Sequence, residues 1–206
     1  MRTTGASSPG IKIKILGIGE ITTTIEVEGP HWYKIHPTEK RRMRLAYKRM
    51  PAFDTREAAD AYMNAHQRYQ ELLESLGIAV PWHDNLVRQQ ADGRWVVYNR
   101  QERYRNRQVA CLVIRELSRE DNIRLFRRLL EEMRPLFIHN LSGHKTQIGF
   151  DGQIPNWVLT GYNPDEPQTA LTSPMVYIDT STPLYRIDGA EQMDMGIFLK
   201  SVPLIF

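Results

Sequence analysis

The sequence predicts an α+β protein, and three observations carry that reading. Residues 11–16 alternate apolar and charged side chains, the period-2 mark of a half-buried strand, and the β-branched residues 21–28 read as its returning partner. A capped amphipathic helix and a hairpin signal follow, between Asp54 and Tyr98. Beyond Ser118 the pattern changes to a long helical period and then to short strands joined by polar loops.

Each element has a local reason. Gly17 and Gly19 break the first strand, and a glycine turn between strands lets backbone N–H groups approach a phosphate or simply closes a hairpin. Residues 43–51 read as a third strand that ends at Pro51 and carries Lys48. Asp54 and Glu57 have capping-box spacing, with Asp54 accepting from the first helical amides. Ala58, Tyr62, Tyr69, Leu72, Leu73 and Leu76 then recur at helical spacing until Gly77 stops the helix. Residues 85–90 and 94–98 flank the turn at Asp92 and Gly93. The apolar run 108–114 reads as a further strand, with Cys111 inside it as a buried, inert thiol. Three strands, a helix and the hairpin's two strands make a five-stranded sheet in an N-terminal unit over residues 11–117, with 108–114 as the hinge strand, after a flexible lead-in at 1–10.

Ser118 and Asp121 start a second helix and mark a hinge between lobes. Ile123, Phe126, Leu129, Leu130, Met133, Leu136 and Phe137 are its expected buried stripe, with Arg127 and Arg128 towards solvent. Residues 146–149 read as a short strand, 150–156 as a loop, 161–173 as a longer loop, and 175–178 as a strand ending at Asp179. These belong to a second unit, residues 118–206.

Composition narrows the class. A chain of 206 residues can bury a core in one domain or two small lobes, and 41% hydrophobic with 25% charged residues is ordinary for a globular protein. No apolar run approaches the roughly 20 residues of a membrane helix, and the N-terminal residues lack the apolar core of a signal peptide. A single cysteine excludes an intramolecular disulfide and fits a reducing cytoplasm. The net charge of +3 comes partly from clusters at 40–44 and 100–107, read as solvated rims. Nucleic-acid binding through them is a lesser alternative, because no readout motif accompanies them. The six histidines show no metalloprotease spacing.

Chemistry concentrates late in the chain. Asp151 and Asn156 stand on one loop with four residues between them, and Asp179 closes the last short strand. Phosphoryl transfer from ATP uses a carboxylate to orient the attacking hydroxyl, plus an amide oxygen and a second carboxylate as hard ligands for Mg²⁺. The local reading stands beside it: Asp151 before Gly152 is turn chemistry, Asn156 bonds its own loop, and Asp179 caps residues 180–182. Lys48, likewise, reads locally as a surface lysine on an edge strand.

The order of glycine turn, strand lysine, helix, hairpin, hinge, long helix, Asp-x4-Asn and strand-end Asp resembles the protein-kinase-like superfamily. It looks closest to the aminoglycoside and choline phosphotransferase branch, over about Ile11 to Thr182. The resemblance implies a bilobal fold: a five-stranded antiparallel N-lobe sheet with one helix, then a mainly helical, shortened C-lobe. It implies Gly17 and Gly19 over the ATP phosphates, Lys48 on the α- and β-phosphates, and a helix residue paired with Lys48, with Glu71 the choice and Glu74 or Gln67 the alternatives. Asp151 is then the catalytic carboxylate, and Asn156 and Asp179 ligate Mg²⁺. The implied function is ATP- and Mg²⁺-dependent phosphorylation of a small-molecule hydroxyl.

The sequence also departs from that family. Gly149 stands where the family has a histidine, Asp179 is followed by Thr180 and Ser181, and Pro155 lies one place late. The Asn156–Asp179 connection is long, and only residues 180–206 follow the metal aspartate. A catalytically inactive binding or scaffold protein is therefore the alternative. The apolar residues 202–206 are expected to be covered by a partner or an oligomer contact, or to mark a truncated reading frame.

Overall fold

Why β4 lies at the centre of the larger sheet is visible in its residues: Met43, Leu45, Ala46 and Lys48 are all buried, on both faces of the strand. The computed structural model describes residues 12–18, 22–28, 33–40, 42–194 and 196. Its strands are β1 (Lys12–Ile18), β2 (Thr23–Glu28), β3 (Tyr33–Ile35), β4 (Arg42–Arg49), β5 (His83–Gln89) and β6 (Trp95–Glu102). They form one antiparallel sheet in the order β1-β2-β4-β6-β5, with β3 also pairing β4. The sequence reading foresaw five strands here. The sixth is β3, three residues long and too short to show a period.

Among the described residues the chain falls into two compact units. The first holds the residues through Asp60 with Trp82–Arg103, and the second holds Ala61–Pro81 with Tyr104–Asp194. The division at Arg103 lies ahead of the expected hinge at Ser118.

In the first unit, β1 pairs β2 with Lys12 opposite Glu28 and Lys14 opposite Glu26, and a bulge interrupts the register between Ile15 and Gly17. Ile13 and Ile15 are 67% and 61% exposed, so β1 is an uncovered edge and not the half-buried strand its alternation suggests. The β5–β6 hairpin turns at Gly93, whose φ of 85° is a left-handed conformation that glycine adopts without strain. Asp92 holds the turn by accepting from the Arg94 amide and guanidinium. Glu26 on β2 is buried and ion-paired to Arg44 at 2.6 Å and Arg103 at 2.9 Å.

Helix α1 (Arg56–Ser75) starts on Thr55, whose Oγ1 accepts from the Ala58 amide at 3.1 Å. The hydroxyl of Thr55, next to Asp54, thus caps the first turn of the helix. Gly77 (φ 81°) ends the helix, as the sequence suggests.

Residues 108–114 are not a strand. A 3₁₀ turn at Asn106–Gln108 leads into α2 (Ala110–Val113), whose amides bond locally, Leu112 to Val109 and Ile114 to Ala110. Only Val109 bridges another strand residue, Val158, so the run has no ladder to join. A short apolar run carries no period that separates buried strand from buried helix. Cys111 sits in α2 and is half-buried, where full burial was expected.

Helix α3 (Arg119–Leu141) is capped by Ser118, whose Oγ accepts from the Asp121 amide. Its buried residues are Leu125, Leu129 and Leu136. Ile123, Phe126, Leu130 and Phe137 of the expected core stripe face outwards, and Arg128 reaches inwards to the carbonyl oxygens of Ala170 and Ser173, both at 2.9 Å. The helix is apolar on two sides, and periodicity does not say which one the protein covers.

The second unit closes with β7 (Thr146–Ile148), β8 (Trp157–Leu159), β9 (Met175–Tyr177), β10 (Tyr185–Ile187) and β11 (Ala190–Glu191). They form two small antiparallel sheets, β8-β9 and β11-β10-β7. Trp157, Leu159, Tyr177, Ile148 and Tyr69 join Leu125 and Leu129 in its core. Each such side chain contributes about 1.5–3 kcal/mol of burial free energy, so this core holds the polar loops beside it in place. No helix among the described residues is long and apolar enough to cross a membrane.

Candidate functional site

The loop carrying Asp151 is anchored at both ends by backbone hydrogen bonds. Before it, the Asn140 side-chain amide pairs with both backbone groups of Ile148, donating at 2.8 Å and accepting at 2.9 Å. Gly149 N donates to Leu184 O at 2.6 Å, and a Cβ on Gly149 would lie 2.9 Å from Leu184 Cβ. Only glycine fits this close approach, so the position has no room for the histidine of the resembling family. Within the loop, Asp151 Oδ1 accepts from Gln153 N at 3.2 Å, and Asn156 Nδ2 donates to Asp151 O at 3.2 Å. The local turn bonds expected of Asp151 and Asn156 are therefore present. They also orient the two residues, since the Asn156 nitrogen is committed and its oxygen is the atom the amide has for a cation.

The β8–β9 ladder brings Asn156 beside Ile178, the residue before Asp179. Trp157 pairs with Tyr177, and Ile178 N donates to Asn156 O at 2.8 Å, so the residue before one strand meets the residues after the other. Asp151 shares two buried tyrosines, Tyr69 and Tyr177, with Asp179 as electrostatic neighbours. Tyr69 Oη donates to Gly149 O at 3.0 Å, two residues before Asp151. Burial first, and then the negative charges of Asp179 and Asp151, hold both tyrosines well above the ordinary phenol range. Both carboxylates thus lie within electrostatic reach of the same two neutral hydroxyls.

After Asp179 the chain is clamped by α1. Thr180 and Ser181 are buried, Thr180 Oγ1 accepts from Gln70 Nε2 at 2.7 Å, and Ser181 O accepts from Tyr62 Oη at 2.8 Å. His66, also buried, lies 3.1 Å from Gln70 and stacks on Tyr62. Ser181 Oγ donates to Asp179 Oδ1 at 3.2 Å, the local bond the sequence suggests. Glu71 is on the exposed side of the helix, where it accepts from Gln67 at 3.2 Å and pairs with Arg68 at 3.4 Å.

The first unit carries the other expected residues. Lys48 lies on central β4, opposite Thr24 on β2 and Asn99 on β6, and is 8% exposed. It is not an edge-strand surface lysine. Glu26, Lys48, Asn99 and Gln101 give this sheet a buried polar face, foreshadowed only by the polar run Asn99 to Glu102. Gly17 does not break the first strand as expected: it lies within β1, paired with Thr24 beside the bulge, and is exposed, so a Cβ there would meet nothing within 4 Å. Gly19 lies outside the described residues.

Two hard oxygen donors, Asn156 and Asp179, suit Mg²⁺, which takes one or two protein ligands and completes its shell with water and phosphate. Among the described residues no cluster of three or more His, Cys, Asp or Glu forms a metal cage. Sequence reasoning missed Tyr62, His66, Tyr69, Gln70 and Tyr177. On the helix they are the polar or aromatic members of the buried stripe, and that was the available signal.

A family profile matches residues 23–205, which takes in the loop, the ladder and the clamp. The chain belongs to DUF6206. DUF6206 is a family of unknown function, so membership adds no activity to the geometry. No curated protein matches the chain in sequence.

Proposed function

We propose that the chain is an ATP- and Mg²⁺-dependent phosphotransferase of protein-kinase-like fold, acting on the hydroxyl of a small molecule. The observation that carries this reading is the β8–β9 ladder, which sets Asn156 against the segment leading to Asp179 while Asn156 Nδ2 donates to Asp151 O. The strand order β1-β2-β4-β6-β5, with α1 inserted between β4 and β5, supports it. So does the burial of Lys48 on the central strand.

In this reading Asp151 accepts the hydrogen bond of the acceptor hydroxyl and orients it for in-line attack. Asn156 and Asp179 hold the magnesium ion, which when bound offsets the negative charge of the nucleotide phosphates. Lys48 binds the α- and β-phosphates, with Gly17, at the C-terminal part of β1, and Gly19 over them. Tyr69, kept neutral by burial, holds the Gly149 carbonyl two residues before Asp151 without adding charge there. A cytoplasmic setting supplies the ATP and keeps Cys111 reduced.

A second reading has one specific observation in its favour. Gly149 leaves no space for the family's histidine, and a fold that keeps nucleotide but loses turnover would be a binding module. ATP turnover separates the two. Magnesium-dependent ADP release that disappears in Asp151→Asn supports the phosphotransferase; nucleotide binding without turnover supports the binding module.

A further inference from the structure

The described residues include ten exposed large hydrophobic side chains, and six of them lie on one helix, α3. They are Ile123, Phe126, Leu130, Phe137, Ile138 and Leu141. Ile123, Leu130 and Phe137 are seven residues apart, and Phe126 with half-buried Met133 repeats at the same interval between them. That is the a and d spacing by which one helix seats its side chains against another helix. The core of this unit takes Leu125, Leu129 and Leu136 from the adjoining side of the helix, with Met133 packed against it at the boundary, and leaves Ile123, Phe126, Leu130 and Phe137 exposed.

We propose that this seam is a self-association surface, packed in solution against the same seam of a second copy of the chain. A two-fold dimer needs a patch that complements itself, and a heptad stripe does so. Size decides further. With roughly 150–250 Å² for each large side chain, the exposed fractions of Ile123, Phe126, Leu130, Phe137 and Leu141 amount to roughly 400–700 Å² per protomer. That approaches the approximately 800 Å² each partner contributes to a standard interface and matches the largest apolar patch of a typical monomer, about 300–600 Å², which is often functional. The rim is polar: the exposed pairs Arg124–Asp121 and Arg134–Glu131 flank the apolar centre and are satisfied within the helix. Leu130, 59% exposed, lies mid-seam and meets its partner's seam in either helix orientation.

Light scattering and sedimentation of the full chain test this. The wild type is expected at twice the chain mass, and Leu130→Glu is expected to weaken association by about tenfold or more, the effect of a charge at a central anchor. Leu130→Ser, which adds no charge, gives a smaller shift in the same direction, and circular dichroism reports native helix in both. Ile35→Glu, at an exposed residue on β3, keeps the wild-type mass. A wild type that stays monomeric at every concentration overturns the proposal, since the seam is then covered otherwise. So does a dimer that Leu130→Glu leaves intact.

Discussion

Replacing Gly149 by alanine should be costly in a way that its neighbour, Gly152, is not. At Gly149 the new Cβ would lie 2.9 Å from Leu184 Cβ and 3.2 Å from Leu184 O. Both atoms are rigidly placed, because Leu184 O also accepts the 2.6 Å hydrogen bond from Gly149 N and leads directly into β10. Relief therefore requires β7 and β10 to move apart, which also disturbs the Tyr69 bond to Gly149 O. Overpacking of this kind costs about 1–3 kcal/mol. At Gly152 the new Cβ would also come within 2.9 Å of an atom, but that atom is Met133 Sδ, on a flexible side chain. Its rotation limits the cost to below about 1 kcal/mol, partly offset by the lower entropy of the unfolded alanine chain. Urea unfolding followed by the fluorescence of buried Trp157 measures both. Gly149→Ala as stable as wild type, or Gly152→Ala as damaging as Gly149→Ala, refutes the reasoning.

Three more perturbations test separate parts of the structure. Tyr69→Phe removes the donor to Gly149 O and is expected to cost about 1–3 kcal/mol in urea unfolding; a loss below about 0.5 kcal/mol, the range of a neutral substitution at the surface, would show that this bond does not hold the loop. Glu26→Ala leaves Arg103 poorly solvated and without this partner, an expected loss of about 3 kcal/mol in denaturant titration, and a change within 0.5 kcal/mol, about the level of a neutral surface substitution, would contradict it. Burial, and then the Glu116 carboxylate that accepts its hydrogen bond, push Tyr162 up to about 12 from 10.0. Because the folded value is the higher one, the neutral phenol's contribution is whole below pH 10 and is lost as pH rises through 12. Tyrosinate absorbance should therefore show this residue ionising late, and earlier in Glu116→Gln; ionisation near 10 in the wild type would contradict the assignment.

Much of this architecture was legible where local chemistry is decisive. Asp92 and Gly93 specify a hairpin, Gly77 a helix end, and the period from Ala58 to Leu76 a helix, and all three stand. Legibility failed where tertiary context decides. Residues 108–114 became helical because no neighbouring strand offers them a ladder. Helix α3 carries apolar residues on two sides, and the choice of buried side lies in the packing of Leu125 and Leu129 against the rest of the core. At the site, the sequence pointed to Asp151, Asn156 and Asp179, which are polar residues at fixed spacing. It did not point to Tyr69, Gln70 or Tyr177, which read as ordinary members of a stripe or strand. Their role depends on contacts between positions 80 to 110 residues apart.

The central claim is that Asp179 and Asn156 form a nucleotide-dependent magnesium site. Calorimetric titration of the full chain with ATP, with and without Mg²⁺, tests it most directly. Binding that requires Mg²⁺ and is lost in Asp179→Ala, in a variant whose circular dichroism matches the wild type, is the predicted result. No binding by the wild type, or binding that Asp179→Ala leaves unchanged, would contradict it.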